Sequence, residues 1–216
     1  MAKALIDGLV PGDDGIVRCW WCGDDPLYRA YHDQEWGRPM ADDRILFEKL
    51  CLEGFQAGLS WLTVLRKRDA FRAAFADFVP AVVASYGGAD VERLLGDAGI
   101  IRHRGKIESV INNARRFADI VEEFGSFAAF AWRFEPADRP VAVPLAGRDL
   151  IQATTSESSA LSRELKRRGW SFVGPTTMYA LMQAMGLVND HLDGCVAGLE
   201  VARARRRFRP PPAPGG

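Results

Sequence analysis

Histidine is scarce in this chain, and long apolar runs and net charge are missing. The 216 residues include 3 His and 4 Cys, and the formal net charge is +0 at pH 7. No stretch approaches the roughly 18 uninterrupted apolar residues of a membrane span, and the first residues lack a secretory signal. Balanced charge argues against a protein that coats nucleic acid indiscriminately. We therefore expect a soluble protein with no membrane partner. Four cysteines suit a reducing compartment, so the cytoplasm is the default location, and a monomer is the default state.

The scarce histidines pair with cysteines near the two ends of the chain. Cys19 precedes His32, and His191 precedes Cys195. Thiolate and imidazole are zinc ligands, and two such pairs fill four tetrahedral positions, so none is left for water or substrate. We therefore expect a closed, structural zinc site. Joining segments about 160 residues apart would remove roughly 4 to 5 kcal/mol of unfolded-chain entropy, if the estimate for disulfides applies.

These residues also allow other interpretations. Cys19 and Cys22 form a CxxC motif, which can supply two metal ligands alone or act as a redox pair. His32 and His191 can each be a hydrogen-bonded histidine of the core. Cys51 lies in an apolar run and is most simply a small buried hydrophobic residue.

Helical periodicity dominates the chain and predicts a mainly α fold. An acidic pair that begins at Asp42 opens one amphipathic helix, which is expected to end near Gly58. Ser60 is expected to cap a second helix that extends to Phe75. No alternating run of strand length is found. Further helices are predicted at about 89–97, 105–123, 126–132, 157–168 and 175–186.

The ends of the chain and one internal segment are predicted to be irregular. Residues 1–17 and the basic, Pro-rich tail 198–216 are expected to be disordered. Three prolines predict that 133–155 is a loop crossing between helical layers. A single helical unit of two lobes is then expected at 18–197.

A basic turn between two helices is a candidate DNA contact. The sequence pattern of residues 97–117 predicts that a short helix ends, a turn follows and a long helix begins. Backbone amides at such a turn can hold a phosphate, and Arg102, Arg104 and Lys106 would add positive charge. A basic turn that contains glycine is also common in helical proteins without this function.

Aromatic side chains form a second concentration, and one carboxylate accompanies them. Aromatic planes can flank a flat ligand, although aromatic-rich segments are also typical of a core. A buried Glu53 would be costly unless a cationic or hydrogen-bonding group faced it, so we expect it to have a partner. The aromatic residues concerned are Trp20, Trp21, Tyr28, Tyr31, Trp36 and Trp61.

Four long strings stand out between about Arg18 and Cys195: RCWWCGDDPLYRAYHDQEWGRP, LFEKLCLEGFQAGLSWLTVLRKR, DAGIIRHRGKI and GLVNDHLDGC. They resemble the 3-methyladenine DNA glycosylase I family. The resemblance implies a helix-hairpin-helix DNA glycosylase fold with a zinc site that joins the N- and C-terminal segments. It also implies a monofunctional enzyme that hydrolyses the N-glycosidic bond of 3-methyladenine in alkylated double-stranded DNA and so initiates base excision repair.

The resemblance further implies roles for individual residues. Glu53 and Tyr31 would hydrogen-bond the purine edge, and Trp61 would stack on its face. Flipping a nucleotide costs a few kcal/mol, and a damaged base makes that cheaper. Selectivity for a cationic base can come from the aromatic faces and the Glu53 carboxylate. The other implied residues are the pocket walls Trp21, Tyr28 and Trp36, the DNA contacts Gly58, Leu59, Arg102, Arg104, Gly105 and Lys106, and the zinc ligands Cys19, His32, His191 and Cys195, with Cys22 as an alternative to Cys19.

Three other functions compete with this interpretation. Lys106 near the hairpin can form a Schiff base in an enzyme that also cuts the strand. A DNA-binding module stabilised by zinc would need no catalysis. Zinc-dependent deamination would need an open metal position. The sequence also leaves open whether Glu53 acts in recognition or in chemistry, and whether 3-methylguanine is accepted.

Overall fold

The structure is a computed structural model, and it describes residues 5–137 and 144–212. These residues form a mainly helical fold, as predicted, with one small antiparallel sheet of two strands, β1 (Leu9–Pro11) and β2 (Val17–Cys19). The α-helices are α1 Pro26–Gln34, α2 Asp43–Gln56, α3 Trp61–Leu65, α4 Arg68–Ala74, α5 Pro80–Ala84, α6 Gly88–Gly96, α7 Arg104–Phe124, α8 Phe127–Trp132, α9 Ser156–Arg167, α10 Pro175–Ala184 and α11 Gly198–Arg207. Short 3-10 helices lie at Trp20–Cys22, Ala76–Phe78 and Arg148–Leu150.

Helix α2 lies at the centre of the core. Asp42 caps its start by accepting a hydrogen bond from the Ile45 amide at 2.9 Å, which satisfies one of the free N–H groups of the first turn. Every residue from Leu46 to Phe55 is buried. The charged side chains of a helix that is buried on all sides cannot reach water, so they must find hydrogen-bonding or charged partners inside the protein or favour their neutral form.

The helix, turn and helix predicted at 97–117 are confirmed as α6, a turn and α7. Asp97 accepts the Gly99 amide at 2.7 Å, and the Lys67 ammonium donates to the Gly99 carbonyl at 3.0 Å. At the far side of the turn, His103 Nδ1 accepts the Lys106 amide at 3.2 Å and caps α7. The turn is therefore held at both ends by side chains.

The second predicted helix is in fact two helices. Ser60 caps α3 as expected, since its side chain accepts the Thr63 amide at 3.2 Å. The backbone of Lys67 then leaves the helical region, with φ −101° and ψ 2°, and α4 begins at Arg68. The remaining predicted helices correspond to α6 to α10.

The prediction that residues 1–17 are disordered is wrong for 5–17. Strand β1 pairs with β2, with Leu9 opposite Cys19, and Leu9 packs in a small cluster with Leu192 and Cys195. Composition indicated disorder, but Leu9, Ile6 and Val17 all pack in this cluster, and β1 pairs with β2, so the segment is ordered. Residues 1–4 lie outside the described part of the chain.

The tail prediction is also wrong for residues 198–212. Helix α11 buries Val201 and Ala202, and the Phe208 ring lies 4.5 Å from that of Trp132. The Arg205 guanidinium pairs with Glu135 at 2.8 Å. The many arginines of this segment indicated disorder, although its apolar residues have the spacing of an amphipathic helix. Residues 213–216 are outside the described ranges.

The loop predicted at 133–155 contains a single turn of 3-10 helix among its described residues, and 138–143 are not described. It is tied to the C-terminal part of the chain, because the Leu145 amide donates to the His191 carbonyl at 2.8 Å and the Asp193 amide donates to the Leu145 carbonyl at 2.7 Å. Among the helices of the described residues, none combines the length and apolar character needed to cross a membrane.

Candidate active site and metal centre

A cavity of about 200 Å³ opens between α1, α2, α3 and α10. Its walls are mainly aromatic. The Trp21 ring lies 4.8 Å from that of Trp36 and 5.2 Å from that of Tyr28, and the Tyr31 ring lies 5.4 Å from that of Trp61. Such a pocket suits one small, flat ligand. Its lining residues are Trp20, Trp21, Tyr28, Tyr31, Trp36, Glu53, Gln56, Trp61, Ile151, Ala180 and Gln183.

Glu53 is the carboxyl group of this pocket, and it is 5% exposed. Its Oε2 makes no hydrogen bond to any residue that the structure describes, so the expected protein partner is not found. Burial raises the pKa of Glu53 from 4.5 to about 8, against a smaller lowering by Lys49. At pH 7 the pocket therefore presents a largely neutral carboxyl group, and this group is open to a ligand.

The nearby cations are occupied by a different acid. The Lys49 ammonium lies 2.6 Å from one oxygen of Glu35, and the Arg68 guanidinium lies 2.6 Å from the other. Glu35 thus offsets part of the positive charge that would otherwise favour ionised Glu53. Burial, and then the charge of Glu53, also raises the pKa of Tyr31, so its phenol keeps the proton it can donate.

A second buried group lies behind the aromatic wall. The donor atoms of Cys19, His32, His191 and Cys195 all lie within 4.8 Å of one another. Cys195 Sγ is 3.4 Å from His32 Nε2 and 3.5 Å from His191 Nδ1, and Cys19 Sγ is 3.9 Å from His191 Nδ1. The four predicted ligands therefore form one group that can hold a metal ion.

The outer nitrogens of both histidines are hydrogen-bonded. His32 Nδ1 lies 2.7 Å from Asp33, whose carboxylate is bound by Arg18 at 2.9 Å, and His191 Nε2 lies 3.1 Å from the Trp36 carbonyl. These contacts orient the inner nitrogens towards the two thiols, which is how metal-binding histidines are held. The donor chemistry and its support fit a metal ion.

Cys22 is outside the four-donor group. Its thiol donates to the Cys19 carbonyl at 3.2 Å, and burial raises its pKa to about 11. A protonated thiol is a poor nucleophile and a poor ligand, so this geometry does not favour the CxxC redox pair. Cys51 is buried in the core, as predicted.

Comparisons with known proteins identify the family to which this helical fold belongs. A model of the methyladenine glycosylase family matches residues 21–198. The chain belongs to this family.

Two curated relatives of this glycosylase are named as DNA-3-methyladenine glycosylases. DNA-3-methyladenine glycosylase 1 of Escherichia coli K12 is 52% identical over 180 residues, which cover 83% of this chain and 96% of the relative. DNA-3-methyladenine glycosylase of Haemophilus influenzae is 44% identical over 179 residues, with the same coverage of 83% and 96%.

Solved structures have the same fold. A crystal structure of 3-methyladenine DNA glycosylase I superposes with a TM-score of 0.78 at 53% identity, covering 82% of this chain and 97% of that one. A variant of such an enzyme in complex with 3-methyladenine has a TM-score of 0.76 at 35% identity, covering 81% and 93%.

The elements expected to face DNA lie on the surface of this glycosylase. Leu59 is 42% exposed. Gly58 has φ +79°, and no described atom lies within 4 Å of the point that a Cβ would take there. Arg102 is exposed, and the exposed Arg104 pairs with Glu92 at 2.6 Å. Gly105 follows in the first turn of α7. These residues are available to a partner.

Lys106 differs from this expectation. It is 7% exposed, and its ammonium donates to the carbonyls of Phe55 at 2.9 Å and Ala57 at 2.5 Å. The side chain therefore points inward and binds the end of α2. In this geometry the ammonium cannot also contact a phosphate. Sequence analysis assigned it that role because the charge of a residue does not tell whether its side chain points inward or outward.

Four pocket residues were missed by sequence reasoning: the apolar Ile151 and Ala180 and the polar Gln56 and Gln183. Gln56 lies one turn after Glu53 in α2, and that spacing places both on one side of the helix. Gln183 comes from α10, far away in sequence, and no local pattern marks it. Only the tertiary fold brings it to the pocket.

Proposed function

We propose that this chain is a monofunctional DNA glycosylase, active as a monomer, that hydrolyses the N-glycosidic bond of 3-methyladenine in alkylated double-stranded DNA and so initiates base excision repair. The observation that carries the proposal is the buried Glu53 carboxyl, whose Oε2 has no hydrogen-bond partner among the described residues and which lies in an aromatic pocket. The names of the relatives and the complex of one of them with 3-methyladenine support the same substrate.

The pocket recognises charge as well as shape. A purine methylated at N3 is cationic, and aromatic faces attract cations. A cation beside Glu53 stabilises its ionised form, so the carboxyl group loses its proton and forms a charge-assisted hydrogen bond to the base. A neutral adenine gives no such gain. Tyr31 adds a phenol to the purine edge, and Trp61 stacks on its face.

The cationic base is itself a good leaving group. Cleavage releases a neutral purine, so no strong general acid is needed on the protein. Glu53 then acts mainly by favouring the cationic base over undamaged bases, and water completes the hydrolysis at the electron-poor sugar.

The surface around the pocket is proposed to hold the flipped nucleotide. The helix-hairpin-helix element of α6 and α7 would bind the phosphate backbone through Arg102, Arg104 and the amides near Gly105. Leu59, at the tip of the loop that begins at Gly58, would fill the gap in the base stack.

The four-donor group is proposed to hold zinc. With zinc bonds of usual length, sulfur and nitrogen ligands lie about 3.6 Å apart, close to the separations of 3.4, 3.5 and 3.9 Å found here. Four protein ligands leave no open position, so the role is structural, and the geometry disfavours deamination. The residues that would hold the ion are Cys19, His32, His191 and Cys195.

The deciding experiment measures release of free base from DNA treated with a methylating agent, with products resolved by chromatography. The wild type is expected to release 3-methyladenine but not 7-methylguanine, and Glu53→Gln is expected to be at least tenfold slower, because a neutral amide cannot favour the cation. A folded, metal-loaded wild type that releases neither base would overturn the proposal in favour of a DNA-binding module.

A further inference from the structure

The side chain of Gln183 is held in one orientation by a buried acid. Its Nε2 donates to Asp190 Oδ2 at 2.7 Å, and the Tyr179 hydroxyl donates to the same oxygen at 2.7 Å. Asp190 is 1% exposed. A carboxylate only accepts hydrogen bonds, so Gln183 must turn its NH2 group towards it. The amide group therefore cannot flip without losing a buried, charge-assisted hydrogen bond.

The backbone fixes the same residue against the pocket wall. The Gly37 amide donates to the Gln183 carbonyl at 3.1 Å, directly after Trp36. Both the position of Gln183 along α10 and the direction of its amide are thus set before any ligand arrives. Such preorganisation is typical of residues that determine specificity.

Because Nε2 is bound to Asp190, the polar atom of the Gln183 amide that is left for a ligand is Oε1. Gln183 lines the pocket together with Glu53, and no residue within the described ranges donates to its Oε1. Two hydrogen-bond acceptors therefore border one small aromatic cavity.

The chemistry of the methylated purine matches two acceptors. In a nucleotide of 3-methyladenine, the only N–H bonds of the base are the two of the exocyclic amino group at C6. Guanine carries an oxygen acceptor at that position, and its lone pairs would repel a fixed carbonyl oxygen. A site built to hydrogen-bond one group discriminates strongly against an analogue that lacks it.

We propose that Gln183 accepts a hydrogen bond from the C6 amino group of the flipped base and thereby favours N3-methylated adenine over N3-methylated guanine. This inference rests on the proposed function of the pocket. Asp190 and Tyr179 act as positioning residues, because they fix the direction of the Gln183 amide without contacting the base.

The test compares wild type with Gln183→Met, which keeps an unbranched side chain of similar length but removes the amide. Release of 3-methyladenine and 3-methylguanine is measured from the same methylated DNA. We expect the variant to release 3-methyladenine about tenfold more slowly, with 3-methylguanine changed less than twofold, so that the ratio of the two rates collapses. Gln152→Met, at an exposed glutamine outside the pocket, is the matched control and should leave the ratio unchanged.

A second readout does not depend on turnover. Free 3-methyladenine and free 3-methylguanine are titrated against the fluorescence of the pocket tryptophans. The wild type should bind the former more tightly, and Gln183→Met should reduce that difference. Gln183→Asn, which shortens the side chain, and Tyr179→Phe, which removes a donor to Asp190 Oδ2, should each reduce the ratio of rates by a smaller factor and serve if the first variant does not fold.

The outcomes separate the two proposals. A wild type that releases no 3-methyladenine contradicts the function of the pocket itself. A wild type that releases it, with a folded Gln183→Met that keeps both the ratio of rates and the ratio of affinities, overturns the role of Gln183 alone.

Discussion

Glu53 lies in surroundings that favour its neutral form. Aromatic side chains and the body of α2 exclude water from it, and Lys49, the cation that lowers its pKa, is already paired with Glu35. A carboxyl group kept in such a place destabilises the folded state whenever it ionises. The group is therefore retained at the expense of stability, as residues of binding sites often are.

The first prediction concerns the dependence of stability on pH. The pKa of Glu53 rises from 4.5 when unfolded to about 8 when folded, so between these values the unfolded chain binds fewer protons. The free energy of unfolding should then fall as pH rises from 4.5 to 8, by up to about 1.4 kcal/mol per pH unit from this group. Urea denaturation of wild type and Glu53→Gln across this range checks it, and a difference that is independent of pH would contradict it.

The second prediction concerns Lys106. Its ammonium satisfies two carbonyls at the end of α2, and burial lowers its pKa. Lys106→Met should lower the free energy of unfolding by about 1 to 3 kcal/mol, because both carbonyls lose a charged donor. Denaturant unfolding measures this loss.

The same residue separates hydrolysis from strand cutting. Borohydride trapping of the wild type on abasic DNA should give no covalent adduct, since the ammonium is engaged in the interior. An adduct that disappears in Lys106→Met would instead support the lyase.

At the residue scale, the chemical type of a side chain predicted its role better than its place in the sequence did. The donors Cys19, His32, His191 and Cys195 were brought together by ligand type, and the structure places them in one group. Glu53 was recognised by its cost of burial, although its lack of a protein partner was not foreseen. Lys106 and Gln183 were misassigned or missed, because direction and long-range neighbours are properties of the fold.

At the element scale, the joint between α10 and the segment after α1 determines the shape of the pocket. Gly186 follows the end of α10 with φ +78°, and a Cβ there would lie 2.6 Å from backbone atoms of Arg38 and Pro39. Only glycine allows this approach. The same region carries Trp36 and Gln183, so the close contact fixes two walls of the pocket relative to each other.

The third prediction tests this joint. Gly186→Ala should destabilise the protein by several kcal/mol, because positive φ and a backbone clash add, and should weaken binding of free 3-methyladenine. Thermal unfolding and ligand titration measure the two effects. Gly88→Ala, in the first turn of α6, where no described atom beyond its chain neighbours and its own helix backbone lies within 4 Å of the Cβ position, is the control and should be near neutral. An equal loss in both variants would contradict the argument.

Helices were predictable from the sequence where the period of apolar residues and the capping residues indicated the same bounds. Helix α7 carries a clear amphipathic pattern and ends at Gly125 with φ +78°, and Ser60 marked the start of α3. The strands β1 and β2 and the helices α1, α5 and α11 were not predicted. The order of β1, β2 and α11 comes from packing against distant residues that composition does not reveal, whereas a proline in the first turn of α1 and of α5 was an unused signal.

At the scale of the whole molecule, the four-donor group joins the two ends of the family fold. Cys19 ends β2 and His32 lies in α1, whereas His191 and Cys195 follow α10. The aromatic wall lies against it, with the Trp36 ring 4.7 Å from that of His191 and the Trp21 ring 5.0 Å from that of His32. Stability and pocket shape are thus linked through shared side chains.

The fourth prediction follows from this linkage. Removal of the proposed metal ion by a chelator, or Cys195→Ala, should lower the thermal midpoint and weaken binding of free 3-methyladenine, because Trp36 and Trp21 lose their support. Metal content, thermal unfolding and ligand titration are measured together, and re-addition of zinc should restore the chelated wild type but not the variant. Unchanged binding after complete metal removal would show that the wall stands without the ion.

The position of the four donors along the chain has a consequence for biosynthesis. Translation is directional, and the N-terminal part of a protein emerges first. Cys19 and His32 leave the ribosome early, but they wait for His191 and Cys195, which emerge after nearly all of the fold. A chain that terminates prematurely therefore lacks half of this group and the support of its pocket wall. If the group supports the pocket as proposed, competence to bind a damaged base awaits synthesis of the segment that carries His191 and Cys195.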